Sequence, residues 1–446
     1  MKYLITAMLF FFLVSMSAQE KSYELSVEQA VEFAIENNIG LNKSYIDEAI
    51  IKAQIAQVKG RALPQINANG RFTDNYSLAE QLLPAEVFGG EPGTTVGVTF
   101  GNKYSVTGGL DVQQQLLDFQ LFNSLKSARA LEELQNLQTL QTMEDLIINV
   151  VQVYIQIQVT EKQIELLQTN YDRTGSLIEI SQAKFKEGII KKLDVNQLIV
   201  NQTNLSTQIE DAQFTRQEQL RLLNLYLNVP MDTEIVLTET LEDRDLYPVQ
   251  DGLTMDSNLQ YKQMEQQMQL AIIDEKLVRA EYFPTLSAFF NYNYQGFSNE
   301  FEFSGDAYQD QFNGTWGLAM SIPVFDGFQR RKRLQQKQLE TKKLEQDRKQ
   351  LANSIEKDYA DAREQLMLSD TQIKNQNINM ELANENYEGI KMSYSDGVAA
   401  LTELLDSEFA LRQAQSNYLN ALLQYRVAKL RLLKTSGQLS QLLATN

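Results

Sequence analysis

"RAEYFPTLSAFFNYNY", Arg279 to Tyr294, decides the fold. A helical stretch ends at Pro284, because proline has no amide hydrogen to donate and clashes with the preceding turn. The residues beyond it then alternate with period two, which is the signature of a strand with two unlike faces. Leu286, Ala288, Phe290, Tyr292 and Tyr294 fall on one face, against Thr285, Ser287, Asn291 and Asn293 on the other. The apolar face is aromatic, and the polar face would sit comfortably in water.

The same order of elements occurs earlier, a little over 200 residues away, which marks an internal repeat. "RALPQINANGRF", Arg61 to Phe72, passes through Pro64 into a strand with Ile66, Ala68, Gly70, Phe72 and Tyr76 opposed by Gln65, Asn67, Asn69, Arg71 and Thr73. Each half then has a second alternating stretch. In the first half Val106, Leu110, Val112 and Leu116 oppose Thr107, Asp111, Gln113 and Gln115. In the second, Phe312, Trp316, Leu318, Met320, Ile322 and Val324 oppose Asn313, Thr315 and Ser321. The predicted strands therefore lie near 64–76, 106–117, 284–295 and 312–324. Each is long enough to cross an outer membrane when tilted. A soluble hairpin with one face on a core is the plainer alternative for any single such segment. The polar opposite faces, together with the export signal at the N-terminus, favour the membrane barrel.

Four strands do not close a barrel, for which about eight are needed, and an open edge in lipid would leave backbone groups unpaired. The barrel must be shared between chains. A dimer would supply eight strands and a trimer twelve by the same arithmetic.

The rest of each half is helical. From about Gln120 to Glu187, and again from Phe328 to Ser395, proline is absent and Leu, Ile, Gln, Lys and Glu recur at helical spacing. Either run could extend roughly 100 Å at 1.5 Å per residue. Each turns at a glycine, Gly188 or Gly397, and returns. Leu404, Leu411, Tyr418, Tyr425 and Leu432 recur every seventh residue, with Leu401 and Leu422 in the alternate seam, as in a coiled coil. The expected organisation is a first repeat over 20–227, a linker over 228–252 that includes a short strand, and a second repeat over 253–446.

Composition removes most other readings. The chain of 446 residues has no cysteine and no histidine, so disulfides, thiolate or imidazole metal sites, cysteine nucleophiles and Ser-His-Asp triads are excluded. No Gly-rich phosphate loop or G-x-S-x-G turn is present, so no enzyme, cofactor or metal site is expected. A net charge of −18 argues against nucleic acid as a partner. The opening "MKYLITAMLFFFLVSMSAQE" has a basic start, an apolar run too short to span a bilayer and small residues near Ala18, so residues 1–19 read as a secretory signal peptide.

Taken together, these features resemble the TolC family of outer-membrane efflux and secretion channels, over essentially the whole mature chain. The resemblance implies a mainly α fold with β: a homotrimer with four membrane strands per chain in one shared twelve-stranded barrel in outer-membrane lipid, and coiled-coil helices forming a periplasmic tunnel. It implies two further partners, a periplasmic adaptor (membrane fusion) protein and an inner-membrane pump of the resistance-nodulation-division or ABC type. The expected function is the exit duct of a tripartite efflux system for small molecules. Type I protein secretion is the neighbouring alternative, and a soluble periplasmic coiled-coil scaffold is the alternative of a different class.

The resemblance also assigns the turns. "KFKEGIIKKLDV" places Asp194 six residues after Gly188, and "SYSDGVAALTELLD" places Glu403 and Asp406 six and nine after Gly397. Such positions carry the acidic residues of a periplasmic constriction, and Tyr394 holds the place of a tyrosine that helps to shut it. Asp194, Tyr394, Glu403 and Asp406 are therefore the candidate constriction, with a Tyr394 to Asp194 hydrogen bond expected between neighbouring hairpins. Ala399 stands where an arginine would complete the latch, with Lys191 or Lys192 as substitutes. The candidate adaptor contacts are Phe185, Lys186, Glu187, Gly188, Ile189 and Ile190 at one tip. At the other they are Ser395, Asp396, Gly397, Val398 and Ala399. The plainer reading of the acids is dipole-favoured residues in the first helical turn.

Overall fold

A computed structural model describes residues 22–241 and 252–439. The signal-peptide reading over 1–19 lies outside the described residues, as do 242–251 of the expected linker and the last seven residues of the second repeat. In chain order the elements are β1 (Tyr23–Leu25), α1 (Val27–Asn37), α2 (Ile39–Gly60), β2 (Gln65–Asp74), β3 (Glu80–Pro84), β4 (Thr95–Thr99), β5 (Tyr104–Leu117), α3 (Phe119–Lys186), α4 (Lys192–Leu227), β6 (Ile235–Leu237), α5 (Leu259–Ala280), β7 (Thr285–Ser298), β8 (Gln309–Ser321), α6 (Gln329–Ser395) and α7 (Leu401–Thr435). Two units share these elements: residues 48–135 with 266–345, and the remainder.

The first of these units holds an antiparallel sheet in the order β2-β5-β7-β8. Both repeats enter it alike. Leu63 N–H bonds the carbonyl of Gly60, Phe283 N–H bonds that of Ala280, and proline follows to stop the helix. Register aligns the two faces across all four strands. Ile66, Val112, Phe290 and Trp316 are cross-strand partners, and the next row joins Ala68, Leu110 and Tyr292. The opposite face aligns Asn67, Asp111, Asn291 and Thr315. Asn69 donates to the Asp111 carboxylate at 2.6 Å. Phe289 falls on this polar face with its ring over Gly317, where a side chain would collide with it.

The strand limits differ from the periodicity at their ends. Tyr76, Ile322 and Val324 lie beyond the paired residues, because backbone pairing stops at Asp74 and Ser321. A register shift between Gln115 and Leu117 makes Leu117, rather than Leu116, the partner of Leu286. A bulge of this kind inserts one residue and moves the following side chain to the other face. Residues 75–103 contain an additional hairpin, β3 with β4, which the alternation did not reveal. Their strands are only five residues long.

The second unit is helical. The Ser26 hydroxyl caps α1 by accepting from Gln29 N–H, while the Gln29 side chain accepts from Ser26 N–H. The linker contributes β6, which pairs parallel with β1. Val27, Val31, Val150, Tyr154, Leu223, Leu227 and Leu433 form the largest apolar core, and the buried Tyr154 hydroxyl donates to the Leu25 carbonyl at 2.9 Å. A smaller core joins Leu177, Leu198, Tyr387, Leu404 and Leu411. Among the described residues no helix is long and apolar enough to cross a membrane.

Candidate constriction and hairpin tips

Both hairpins turn through a glycine with positive φ, 75° at Gly188 and 78° at Gly397. Neither has a neighbour that a Cβ would touch, so the requirement for glycine is conformational rather than spatial. Paired bonds close each helix end. Ile189 N–H reaches the Lys184 carbonyl and Gly188 N–H that of Phe185, while Val398 N–H reaches Ser393 and Gly397 N–H reaches Tyr394. The tips expose apolar side chains, with Ile189 at 65% and Val398 at 84%.

Of the four constriction candidates, two lie exposed on one face and two serve local structure. Glu403 and Asp406 are three residues apart and exposed, in the first two turns of α7. Asp194 is half-buried and accepts the Lys191 N–H at 3.1 Å, capping the start of α4. Tyr394 is buried in the smaller core. Its hydroxyl pairs with Ser181 Oγ at 3.1 Å, and the Lys184 ammonium lies 4.6 Å from its ring centre and donates to its carbonyl. Within this chain the tyrosine therefore pairs with Ser181, not with Asp194. Ala399 packs against the same core, and Lys191 and Lys192 are exposed.

The structure also brings together residues that the sequence reading passed over. Glu408 on α7 is 2% exposed. Its carboxylate accepts from Thr174 Oγ1 on α3 at 3.1 Å and from Asn201 Nδ2 on α4 at 3.2 Å, with Arg412 and Arg173 nearby. Burial pushes its carboxyl above the ordinary range, and the arginines and the two hydrogen bonds oppose that shift. Arg173 lies over the ring of the fully buried Tyr387 at 5.6 Å. Burial is also the main reason why the Tyr387 hydroxyl is raised to about 12. One helical turn beyond Arg412, Gln415 accepts from Asn170 at 3.2 Å. The signal was present in the heptads. Leu401, Glu408, Gln415, Leu422 and Lys429 form one seam, and three of these five seam positions are polar.

The sequence matches the family described as outer membrane efflux protein over residues 30–228 and 253–438. Solved structures have the same fold. CusC superposes with a TM-score of 0.73 at 16% identity, covering 95% of this chain and 95% of that one. The open state of the MtrE outer membrane channel of Neisseria gonorrhoeae gives 0.72 at 17% identity, with 92% and 88% covered. The outer membrane protein VceC of Vibrio cholerae gives 0.71 at 12% identity, with 92% and 96% covered. No curated protein matches the chain.

Proposed function

Because this chain belongs to the outer membrane efflux protein family, we propose that it is the exit duct of a tripartite system, passing small molecules from a periplasmic adaptor and an inner-membrane pump to the exterior. The observation that carries this reading is the four-stranded sheet, with one face aromatic and aliphatic and the other lined by Asn, Gln, Thr and Asp, in register but for the bulge between Gln115 and Leu117. A sheet of that kind suits lipid on one side and a water-filled lumen on the other. Its two edges, β2 and β8, must be covered in a membrane. Three chains would give twelve strands, with β8 of one beside β2 of the next.

In this arrangement Glu403 and Asp406, exposed on one face of α7, would repeat three times around the tunnel axis. A ring of carboxylates attracts cations and resists full ionisation through like-charge repulsion. Asp194 and Tyr394 hold the ends of the two hairpins in shape from within each chain. The tips, from Phe185 to Ile190 and from Ser395 to Ala399, are offered to the adaptor, chiefly through their exposed residues, Phe185 to Ile189 and Ser395 to Val398. The duct contributes no chemistry of its own.

Purified protein added to a planar bilayer should run as a heat-modifiable trimer on gels and open discrete conductances. A monomer without conductance would overturn the proposal. Affinity purification from its own cells separates efflux from type I secretion. Recovery of a resistance-nodulation-division pump with its adaptor supports the efflux reading, whereas recovery of an ABC exporter with a secreted polypeptide supports the other.

A further inference from the structure

The connections at one end of the sheet are unlike. All four strands join helices at the same end, where Gln65 pairs with Gln113 and Thr285 with Ser321. The opposite end, which faces outward if the helices are periplasmic, carries residues 75–103 in the first repeat and 299–308 in the second. The shorter connection reads "NEFEFSGDAY", with two phenylalanines, three acids and no basic residue.

This short segment lies back over the apolar face of the sheet. Phe301 meets Tyr104 at 5.4 Å and Phe72 at 6.3 Å, ring centre to ring centre, and Phe303 meets Phe72 at 5.8 Å. It thus reaches from β7 across β5 to the edge strand β2. The Tyr308 hydroxyl pairs with that of Tyr294 at 2.6 Å and fixes its other end. Tyr294 and Phe312 meet beside it with their rings tilted, at 4.9 Å. Phe72 and Tyr104 belong to the face that continues through Leu110, Tyr292, Phe290 and Trp316. Even so, Phe301 remains 72% exposed and Phe303 42%.

We propose that residues 299–308 form a membrane-interface anchor, whose phenylalanines enter the headgroup and acyl boundary of the outer leaflet. The partner is lipid, met through the rings. Without a basic residue the segment has nothing to hold a phosphate. Its acids, Glu300, Glu302 and Asp306, alternate with or follow the rings and can stay in water. Outer-membrane barrels carry girdles of aromatic residues at their interfaces, and a phenylalanine ring, having no polar atom, gains by burial on the acyl side of that boundary. Continuity decides the occupant: the exposed rings extend the same apolar face that carries Trp316, which is 82% exposed.

The inference rests on the barrel reading, and the chain's single tryptophan separates the two. Full-length trimer is reconstituted in vesicles of phosphatidylcholine brominated either just below the headgroups or deep in the chains. Trp316 of the natural protein should lose emission chiefly to the deep bromines. In Trp316→Phe with Phe301→Trp, emission should shift to the blue and be lost chiefly to the shallow bromines, to a similar extent. If that variant does not form a heat-modifiable trimer, Phe303→Trp reports on the same boundary. Quenching of Trp316 without quenching at 301 or 303 would overturn the anchor and leave the barrel intact. That outcome includes a blue-shifted, unquenched signal, which would mean that a second copy covers the rings. Failure to quench Trp316 would overturn the barrel itself.

Discussion

The Thr174 hydroxyl on α3 donates to the Glu408 carboxylate on α7 across 3.1 Å, in a buried polar cluster that also holds Asn201, Arg173 and Arg412. Asn201 on α4 donates to the other carboxylate oxygen, so one side chain ties α7 to both arms of the first hairpin. Replacing Glu408 by Ala takes the carboxylate from Asn201 and the two nearby arginines, while the Thr174 hydroxyl keeps the Asn170 carbonyl at 2.8 Å. The expected cost is about 1–3 kcal/mol, the usual loss when buried partners are left unpaired. Glu408→Gln should cost less, because its amide oxygen still accepts from Thr174. Urea unfolding followed by helical circular dichroism would measure both. Equal midpoints for all three proteins would mean that the network is solvated and carries no stability.

Stability should also depend on Glu144. It is 7% exposed and its Oε1 has no hydrogen-bond partner, beside a cavity of about 140 Å³ lined by Gln141, Asn258, Asp358, Lys434 and Thr435. Lys434, which lines the same cavity, is engaged with Asp145 at 2.8 Å. Burial raises the Glu144 carboxyl from 4.5 to about 7. Between these values the folded chain keeps a proton that the unfolded chain has lost, so this group's contribution to stability falls as pH rises through the window and stays low above it. Glu144→Gln should therefore be more stable than the natural protein at pH 8, by on the order of 1–3 kcal/mol, and equally stable at pH 4, as read from thermal unfolding. A gain that is equal at both pH values would mean that ionisation is not the cause.

The acids of α7 lead to a different measurement. Glu403→Ala with Asp406→Ala should raise single-channel conductance or relieve block by divalent cations, because a threefold ring would lose six carboxylates. Single-channel recordings indistinguishable from those of the natural protein, in calcium and without it, would remove these residues from the constriction.

At the tip, Gly397→Val forces a β-branched residue to φ 78°. The left-handed region costs such a residue roughly 1–2 kcal/mol. The turn should reshape locally while the trimer persists. Crosslinking to the adaptor should fall by severalfold if this tip is a docking surface, and unchanged yield would place docking elsewhere.

The sequence by itself determined the long strands and helices and their order, but not the five-residue strands β3 and β4. Proline after helix, period-two strands and glycine between long heptads each act over a few residues, so each is legible without knowing what lies across the fold. Heptad spacing puts Glu408 and Gln415 on the seam of Leu401 and Leu422, yet the reading of the apolar positions passed over them. Which partners they meet was a matter of tertiary structure, because Thr174 and Asn170 lie more than two hundred residues away in the chain. The same holds for Tyr394. Its spacing from Gly397 marked it, but only packing put its hydroxyl on Ser181 rather than on Asp194. The bulge at Gln115 and the return of Phe301 onto Phe72 were likewise decided by register and packing between strands, where no local period carries a signal.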